Sequence, residues 1–398
     1  MSRTRVPLVA IMVSLAVLAS ACGTARGSEA DTIRLVTYEG FRLPQDQLDA
    51  FTSRTGFRVS VTREASASDL AQLLLRTRQD PVADVVVGLG PLEVRQIVEQ
   101  AATENYTPIG ADRLDPRLML TEDVLTPVSV LDVCLNIDID YYQPPEVVEE
   151  FEDDFNPPAE ELPEGAVIVN APPSDTPTGI GDFTDPRFID QLVVPDPNTD
   201  PMGVYFLAML ENRYPLDGPE PWTDVLAGLV ANGMLVTPTW REAYFEQFTE
   251  GSVEGTRTAV VASDRMPVVT ARLRFRPPDR LETQVIDDGC VAVPFYAGVI
   301  TGTHNRRAAG RLVDQIVTPE FQFDIGDDMG SWPARFDLID TELDARYQTR
   351  VEADPLDPMT LPDRVDDWLE IWAGVLSGAI GTAPTQPPTT DQHTDTSP

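Results

Sequence analysis

Residues 82–87, VADVVV, leave few choices for the fold. The run is almost wholly apolar, shorter than an ordinary helix, and stops at Gly88-Leu89-Gly90-Pro91. A strand without polar alternation is buried on both faces, as happens where helices cover a parallel sheet from both sides. The flanking chain keeps the matching rhythm. Apolar strand candidates at 33–36, 57–62, 128–139, 191–195, 258–262 and 291–300 alternate with helix candidates at 46–55, 70–78, 92–103, 202–213, 222–232, 306–317 and 362–378. Over 398 residues this reads as an α/β protein with two lobes and largely parallel sheets.

The first segment stands apart from that pattern. Arg3 and Arg5 precede an uncharged apolar run, Val6 to Leu18, which ends in Ala19-Ser20-Ala21-Cys22. Residues 1–21 read as a signal peptide, too short for a comfortable membrane span. Small residues followed directly by cysteine resemble a bacterial lipobox, which would make Cys22 the lipidated first residue of the mature chain. Residues 22–31 then form a tether, and the protein is expected on the outer face of the cytoplasmic membrane, in the periplasm or cell-wall space. Residues 144–164 carry nine acids among prolines and read as an exposed insertion. The Pro- and Thr-rich tail, 381–398, is expected to be disordered.

Charge and composition exclude several functions. The formal net charge is −36, so nucleic acid is repelled. There is no lysine, hence no P-loop lysine, Schiff-base lysine or Ser-Lys dyad. Of the two histidines, His393 lies in the tail and His304 has no motif around it. No nucleophile elbow, HExxH or paired-cysteine zinc spacing occurs. No catalytic residue, resident metal or cofactor is therefore expected; an exported carboxylate hydrolase is the competing class, and would need two carboxylates at a fixed separation. Beyond Cys22 there are two cysteines, Cys134 and Cys290, which in an exported chain read either as a disulfide or as two buried thiols.

Several loops share one position, directly after a strand: Tyr38-Glu39, Ser66 to Asp69, Gly88 to Gly90, Asp200-Pro201 and Ser263-Asp264. Ser66 and Asp69 have capping-box spacing, and Asp200-Pro201 has the form of an N-cap followed by the first helical residue. In LVTPTWREAYFEQFTEG, residues 235–251, Thr239 and Glu242 repeat the capping-box spacing, predicting a helix through Trp240, Tyr244 and Phe248. That aromatic stripe faces either a core or a cleft. In parallel sheets ligands bind beyond the carboxyl ends of the strands, where such loops gather.

Five segments in this order, IRLVTYEGF (33–41), ADVVVGLG (83–90), VVPDPNTDPMG (193–203), VTPTWREAY (236–244) and TPEFQ with GSWP (318–322, 330–333), resemble the extracellular solute-binding proteins of ABC importers, and most of all their thiamine-binding branch. The resemblance implies a two-lobe, type II periplasmic-binding-protein-like fold with a ligand cleft between lobes. Lobe 1 would be 32–130 plus 288–345, lobe 2 131–287, and 346–380 a C-terminal helical segment. It further implies a monomer that captures thiamine or its phosphates and delivers it to ABC permease subunits.

By position, Trp240 falls on the family's stacking tryptophan and Tyr38 on an aromatic near the cleft. Asp200-Pro201 falls on a Ser-Thr pair, Ser66-Ala67 on an Asp-Gly pair, and Ala262-Ser263-Asp264-Arg265 on a Tyr-Thr-Thr-Ser run. Three contact segments thus depart from the pattern. The carboxylate missing at Ser66 has Asp69, Asp200 and Asp264 as candidate replacements, and Tyr244 joins the set beside Trp240. A polyamine, a thiamine precursor and ferric iron are the other cargoes to weigh; for iron the chain offers the pair Tyr141-Tyr142.

Overall fold

The computed structural model describes residues 31–143, 175–275, 281–339, 350–351 and 353–378. The signal peptide, Cys22, the tether up to residue 30, the acidic insertion, His393 and the tail lie outside the described residues.

The first lobe begins with β1 (Thr32–Tyr38), α1 (Gln45–Thr55), β2 (Arg58–Glu64), α2 (Ala67–Arg76), β3 (Val85–Leu89), α3 (Val94–Glu99) and β4 (Thr103–Glu104). A long strand, β5 (Thr126–Asp138), then crosses to the second lobe and α4 (Ile139–Tyr142). There follow β6 (Leu192–Pro195), α5 (Pro201–Arg213), α6 (Trp222–Ala231), β7 (Leu235–Thr237), α7 (Trp240–Glu242), β8 (Ala259–Ser263) and α8 (Met266–Leu273). The longest strand, β9 (Thr283–Ile300), carries the chain back. It is followed by α9 (Arg306–Ile316), α10 (Pro319–Met329), β10 (Trp332–Pro333), β11 (Asp354–Pro355) and α11 (Pro362–Leu376).

All strands join one curled sheet, whose main path is β2-β1-β3-β9-β5-β8-β6-β7. The order explains the two lobes. β1, β2 and β3 are mutually parallel at one end, and β6, β7 and β8 at the other. Between them β5 and β9 run antiparallel along nearly their whole length, Thr126 opposite Ala297 and Asp138 opposite Thr283. The sheet is therefore mixed, where the sequence suggested largely parallel pairing: the two crossing strands travel in opposite directions and cannot both be parallel to their neighbours.

Cys134 and Cys290 form a disulfide. It lies where the β5–β9 register slips: Val133 faces Val291, but Leu135 already faces Ile286. The extra β9 residues bulge outward, with Gly289 at a positive φ of 81°. Asp288 at the bulge accepts hydrogen bonds from the Ile180 amide and from Arg213 of α5, fixing the bulge against the second lobe.

Local signals explain most of the remaining elements. β3 is buried at all five positions, as VADVVV predicts, but it continues past the expected stop to Leu89. Gly88 allows this with a φ of 100° in a bulge, and a Cβ there would lie 2.8 Å from the Phe41 ring. α5 buries every residue from Met202 to Leu210, so it is an interior helix apolar all round. α11 closes over it, with Trp372 edge-on to Phe206 at 6.5 Å.

Two helices are shorter than expected. The helix predicted at 92–103 covers only Val94–Glu99, ending before Ala101 at φ 49°. The helix predicted through Phe248 is one turn, Trp240–Glu242, followed by a π turn, Ala243–Gln247. Gly251 folds back onto this turn; a Cβ there would overlap the Tyr244 carbonyl, so the chain leaves the helix axis at this point.

The disulfide closes a loop across a sequence separation of 156 residues. Replacing both Cys134 and Cys290 by alanine should lower the unfolding free energy by about 2–5 kcal/mol, seen as an earlier urea midpoint. A loss well under 1 kcal/mol would mean that strand pairing alone holds the crossing.

Candidate functional site

The parallel strands of each lobe end at loops, and the loops of the two lobes meet. From the first lobe come Tyr38 at the end of β1, Phe41 after it, and the turn Gly90 to Glu93 after β3. From the second come Asp200 after β6, Tyr205 one turn into α5, and Trp240 after β7. Phe295 of β9 lies at the seam. A Cβ placed on Gly90 would stand 3.2 Å from a Glu93 carboxylate oxygen, 3.6 Å from the Phe295 ring and 3.6 Å from the Tyr205 hydroxyl. Groups from both lobes and from the crossing strand thus converge on one point.

The site is aromatic and acidic. Phe41 lies tilted between Tyr38 and Phe295, with ring centroids 6.0 and 5.6 Å away. Glu93 is 7 % exposed. Burial pushes its carboxyl up to about 7, against the opposing pull of the backbone amides of Gly90 and of Glu93 itself. Burial also raises Tyr38 and Tyr205, and the charges of Glu93 and Asp200 raise both further. These phenols stay protonated and can donate. Among the described residues, no basic side chain is among the causes that shift Glu93, Tyr38 or Tyr205. The group can solvate a cation or a nitrogen donor beside aromatic faces; to an anion it offers hydroxyl donors but no positive charge among the causes that shift these groups.

Asp200 is the joint of the second lobe. One oxygen caps α5 by accepting from the Met202 amide at 2.9 Å, and the other accepts from the Trp240 amide at 2.7 Å. Thr239 caps α7 through its hydroxyl, which accepts from the Glu242 amide. Trp240 is thereby fixed at the start of α7, half-buried, with its ring 5.7 Å from Tyr244 and 5.8 Å from Phe245. Its indole nitrogen is buried without a hydrogen-bond partner.

Of the residues singled out in the sequence, Tyr38, Asp200 and Trp240 are brought together, with Pro201 exposed beside them. Ser66, Ala67 and Asp69 sit at the start of α2, where Ser66 and Asp69 bond each other. Tyr244 lies behind Trp240, fully buried, its hydroxyl 2.7 Å from that of Thr270. The segment Ala262 to Arg265 is buried throughout and serves the crossing instead. The Asp264 carboxylate accepts from the Trp332 indole at 2.9 Å, beside Asp132, which Arg350 pairs. Arg265 packs its guanidinium 4.9 Å over the same indole, and Ser263 donates to the Gly330 carbonyl. These side chains face β5, β10 and α10, so they hold the seam together. Tyr142 is also occupied, bonded to Gln191 and Thr258.

Glu93, Tyr205, Phe41 and Phe295 escaped the sequence reading. Glu93 left one usable trace, an acid inside the otherwise uncharged stretch VVVGLGPLEV that follows Asp84. Tyr205 left none, since it sits in an apolar helix and reads as packing.

A cavity of about 230 Å³ also lies behind α5, lined by Ala208, Asn212, Val291, Leu361, Arg364 and Trp368. It is remote from the strand ends.

Many solved structures match most of the chain, and three of them illustrate the range. Iron-bound HitA from Pseudomonas aeruginosa superposes with a TM-score of 0.59 at 15 % identity, covering 86 % of this chain and 99 % of that one. A periplasmic thiamin binding protein gives 0.59 at 14 %, covering 87 % and 96 %. The spermidine/putrescine substrate-binding protein PotD from Streptococcus pneumoniae gives 0.59 at 8 %, covering 86 % and 98 %. The chain has the type II periplasmic-binding-protein fold. No family model and no curated protein matches its sequence. Tyr38, Glu93, Asp200, Tyr205 and Trp240 gather where the two lobes of this fold meet.

Glu93 gives the site a measurable signature. Its folded value lies above the ordinary 4.5, so the folded chain keeps a proton that the unfolded chain releases between pH 4.5 and about 7. The stabilisation is full below pH 4.5 and is lost as pH rises through 7, by about 3 kcal/mol at most. Asp264 is raised in the same direction, first by burial and then by Asp132. Glu93→Gln should flatten Glu93's share of the fall in urea-denaturation profiles between pH 5 and 8. An unchanged slope would mean that Glu93 is ionised throughout.

Proposed function

We propose that this protein is the exported solute-binding component of an ABC importer and that it captures thiamine or a closely related flat cation. The observation that carries the reading is the convergence of Tyr38, Glu93, Asp200, Tyr205 and Trp240 at the seam, acidic and aromatic, with no basic side chain among the described residues shifting its buried carboxyl or phenols. A thiazolium ring against the Trp240 face would gain about 0.5–2 kcal/mol, according to how far water is excluded. Asp200 would strengthen that attraction while it holds the tryptophan in place. The protein performs no covalent chemistry: the ligand binds the closed arrangement better than the open one and so shifts their populations.

Export suits the Cys134–Cys290 disulfide, which persists in oxidising compartments. Lipidation at Cys22 would keep the monomer at the membrane beside its permease. The moving bodies would be 32–130 with 288–345, and 131–287, hinged where β5 and β9 cross, with 346–380 riding on the second.

Ferric iron is the second reading, favoured by two phenols and a carboxylate at the seam and by the iron bound in the HitA structure. The burial and acidic neighbours that keep Tyr38 and Tyr205 protonated oppose it, because ferric iron binds phenolates. The pair Tyr141-Tyr142 does not help, as Tyr142 is buried and bonded elsewhere.

Titration calorimetry with thiamine tests the proposal. Binding at micromolar concentration is expected, weakened about tenfold or more by Trp240→Ala with little change in thermal midpoint. No heat with thiamine, together with a phenolate-to-iron absorption band on adding ferric citrate, would replace the first reading by the second. A large loss of stability in Trp240→Ala would mark the ring as core.

A further inference from the structure

Besides β5 and β9, a third stretch of chain lies against the crossing between the lobes. β11 pairs in parallel with β9 at Val291 and Ala292, the same two residues through which β9 pairs with Val133 and Asp132 of β5. The Leu356 amide then donates to the Ala292 carbonyl. From there into α11 the side chains reach both lobes. Met359 packs against the first lobe's apolar cluster, which includes Val94 and Ile97 of α3. Leu361 and Trp368 are buried in the core that holds α5. Asp363 pairs with Arg95 of α3, and the next residue, Arg364, pairs with Glu211 of α5. Neighbours on one helical turn thus hold opposite lobes.

The two grips are unequal. On the second lobe α11 is anchored by Trp368 and Trp372, both fully buried. On the first lobe the hold is one half-buried methionine and an ion pair whose carboxylate is 67 % exposed. Exposed ion pairs contribute little each, so the first-lobe side is the one that gives way. There is also room for it to move. A cavity of about 230 Å³ borders the stretch on the α5 side, and another of about 310 Å³ separates it from Val98, Met119, Leu120 and Val124 of the first lobe. Asp357 borders both. A segment with space on either side shifts without rearranging a close-packed core.

We propose that residues 354–364 are a latch across the lobes, holding the arrangement in which the seam groups meet and releasing the first lobe when the cleft opens. The inference deepens the proposed function as regulation of the same site; it rests on the opening and closing of that site, not on which cation is captured. Contacts made in the closed arrangement and lost in the open one raise the closed population without touching ligand. Ligand affinity then rises with the fraction of chains that are closed. The latch is weak on one side, so it biases the equilibrium and leaves the ligand able to shift it.

Small-angle X-ray scattering of the full chain, with calorimetry on thiamine, tests this. Arg95→Ala combined with Met359→Ala should enlarge the radius of gyration of the ligand-free protein. It should also weaken thiamine binding by about threefold to tenfold, although neither residue is among the seam groups. Saturating thiamine should return the double variant to the wild-type radius. Arg95→Glu alone, a change at the surface that leaves the packing of Met359 intact, should move both readouts the same way by less, and Arg95→Lys should move neither. An unchanged radius in the double variant and in Arg95→Glu overturns the latch, whether or not the urea midpoint falls. A larger radius with undiminished thiamine affinity overturns its coupling to capture. A larger radius in the variants while wild-type protein ignores thiamine keeps the latch and overturns thiamine as the ligand.

Discussion

β5 and β9 pass side by side from one lobe to the other, and every other part of the protein hangs on that pairing. It sets the angle at which the two parallel strand groups present their carboxyl ends to each other. The pairing is reinforced where it is weakest. At the register slip the Cys134–Cys290 disulfide bridges the strands, and Asp288 ties the β9 bulge to α5 and to Ile180. On the other side of β5, Asp132, Asp264, Arg350 and Trp332 form a buried polar cluster that fills the same crossing. A cluster of charges in low dielectric contributes little net stability, but it penalises any misalignment of its members strongly. Its position fixes the register of the crossing.

The candidate site where the lobes meet has a different character. Among the described residues no basic side chain lies among the causes that set the Glu93 carboxyl, and burial makes it keep a proton. That cost falls on stability, and clefts are where proteins commonly carry such a cost. Asp200 shows how structure and function share one residue here. Both its oxygens fix helix starts, one for α5 and one for Trp240, and its charge still acts on the phenols across the seam.

Much of the fold was legible in the sequence because it is written in local rules. VADVVV announced a doubly buried strand, Asp200-Pro201 and Thr239 announced helix starts, and the structure has each of them. What was illegible depends on contacts distant in sequence. Nothing in TWREAYF signals that Gly251 will fold back and break the helix after one turn. Nothing near Ala262 to Arg265 signals that Trp332 and Arg350 will bury that segment in the seam. The candidate site was legible by half. Tyr38, Asp200 and Trp240 stand next to strand ends, whereas Tyr205 is hidden in an apolar helix and Glu93 matters only because Gly90 and Phe295 face it.

The central claim is that the seam between the lobes is built for a small organic cation. Native mass spectrometry of the protein purified without added ligand, followed by release and identification of what it retains, addresses that claim most directly. The account predicts a retained organic cation with a flat ring, of which thiamine is the type, in one copy per chain. Retention of an anion such as phosphate or a carboxylic acid, or of a neutral sugar, would contradict it.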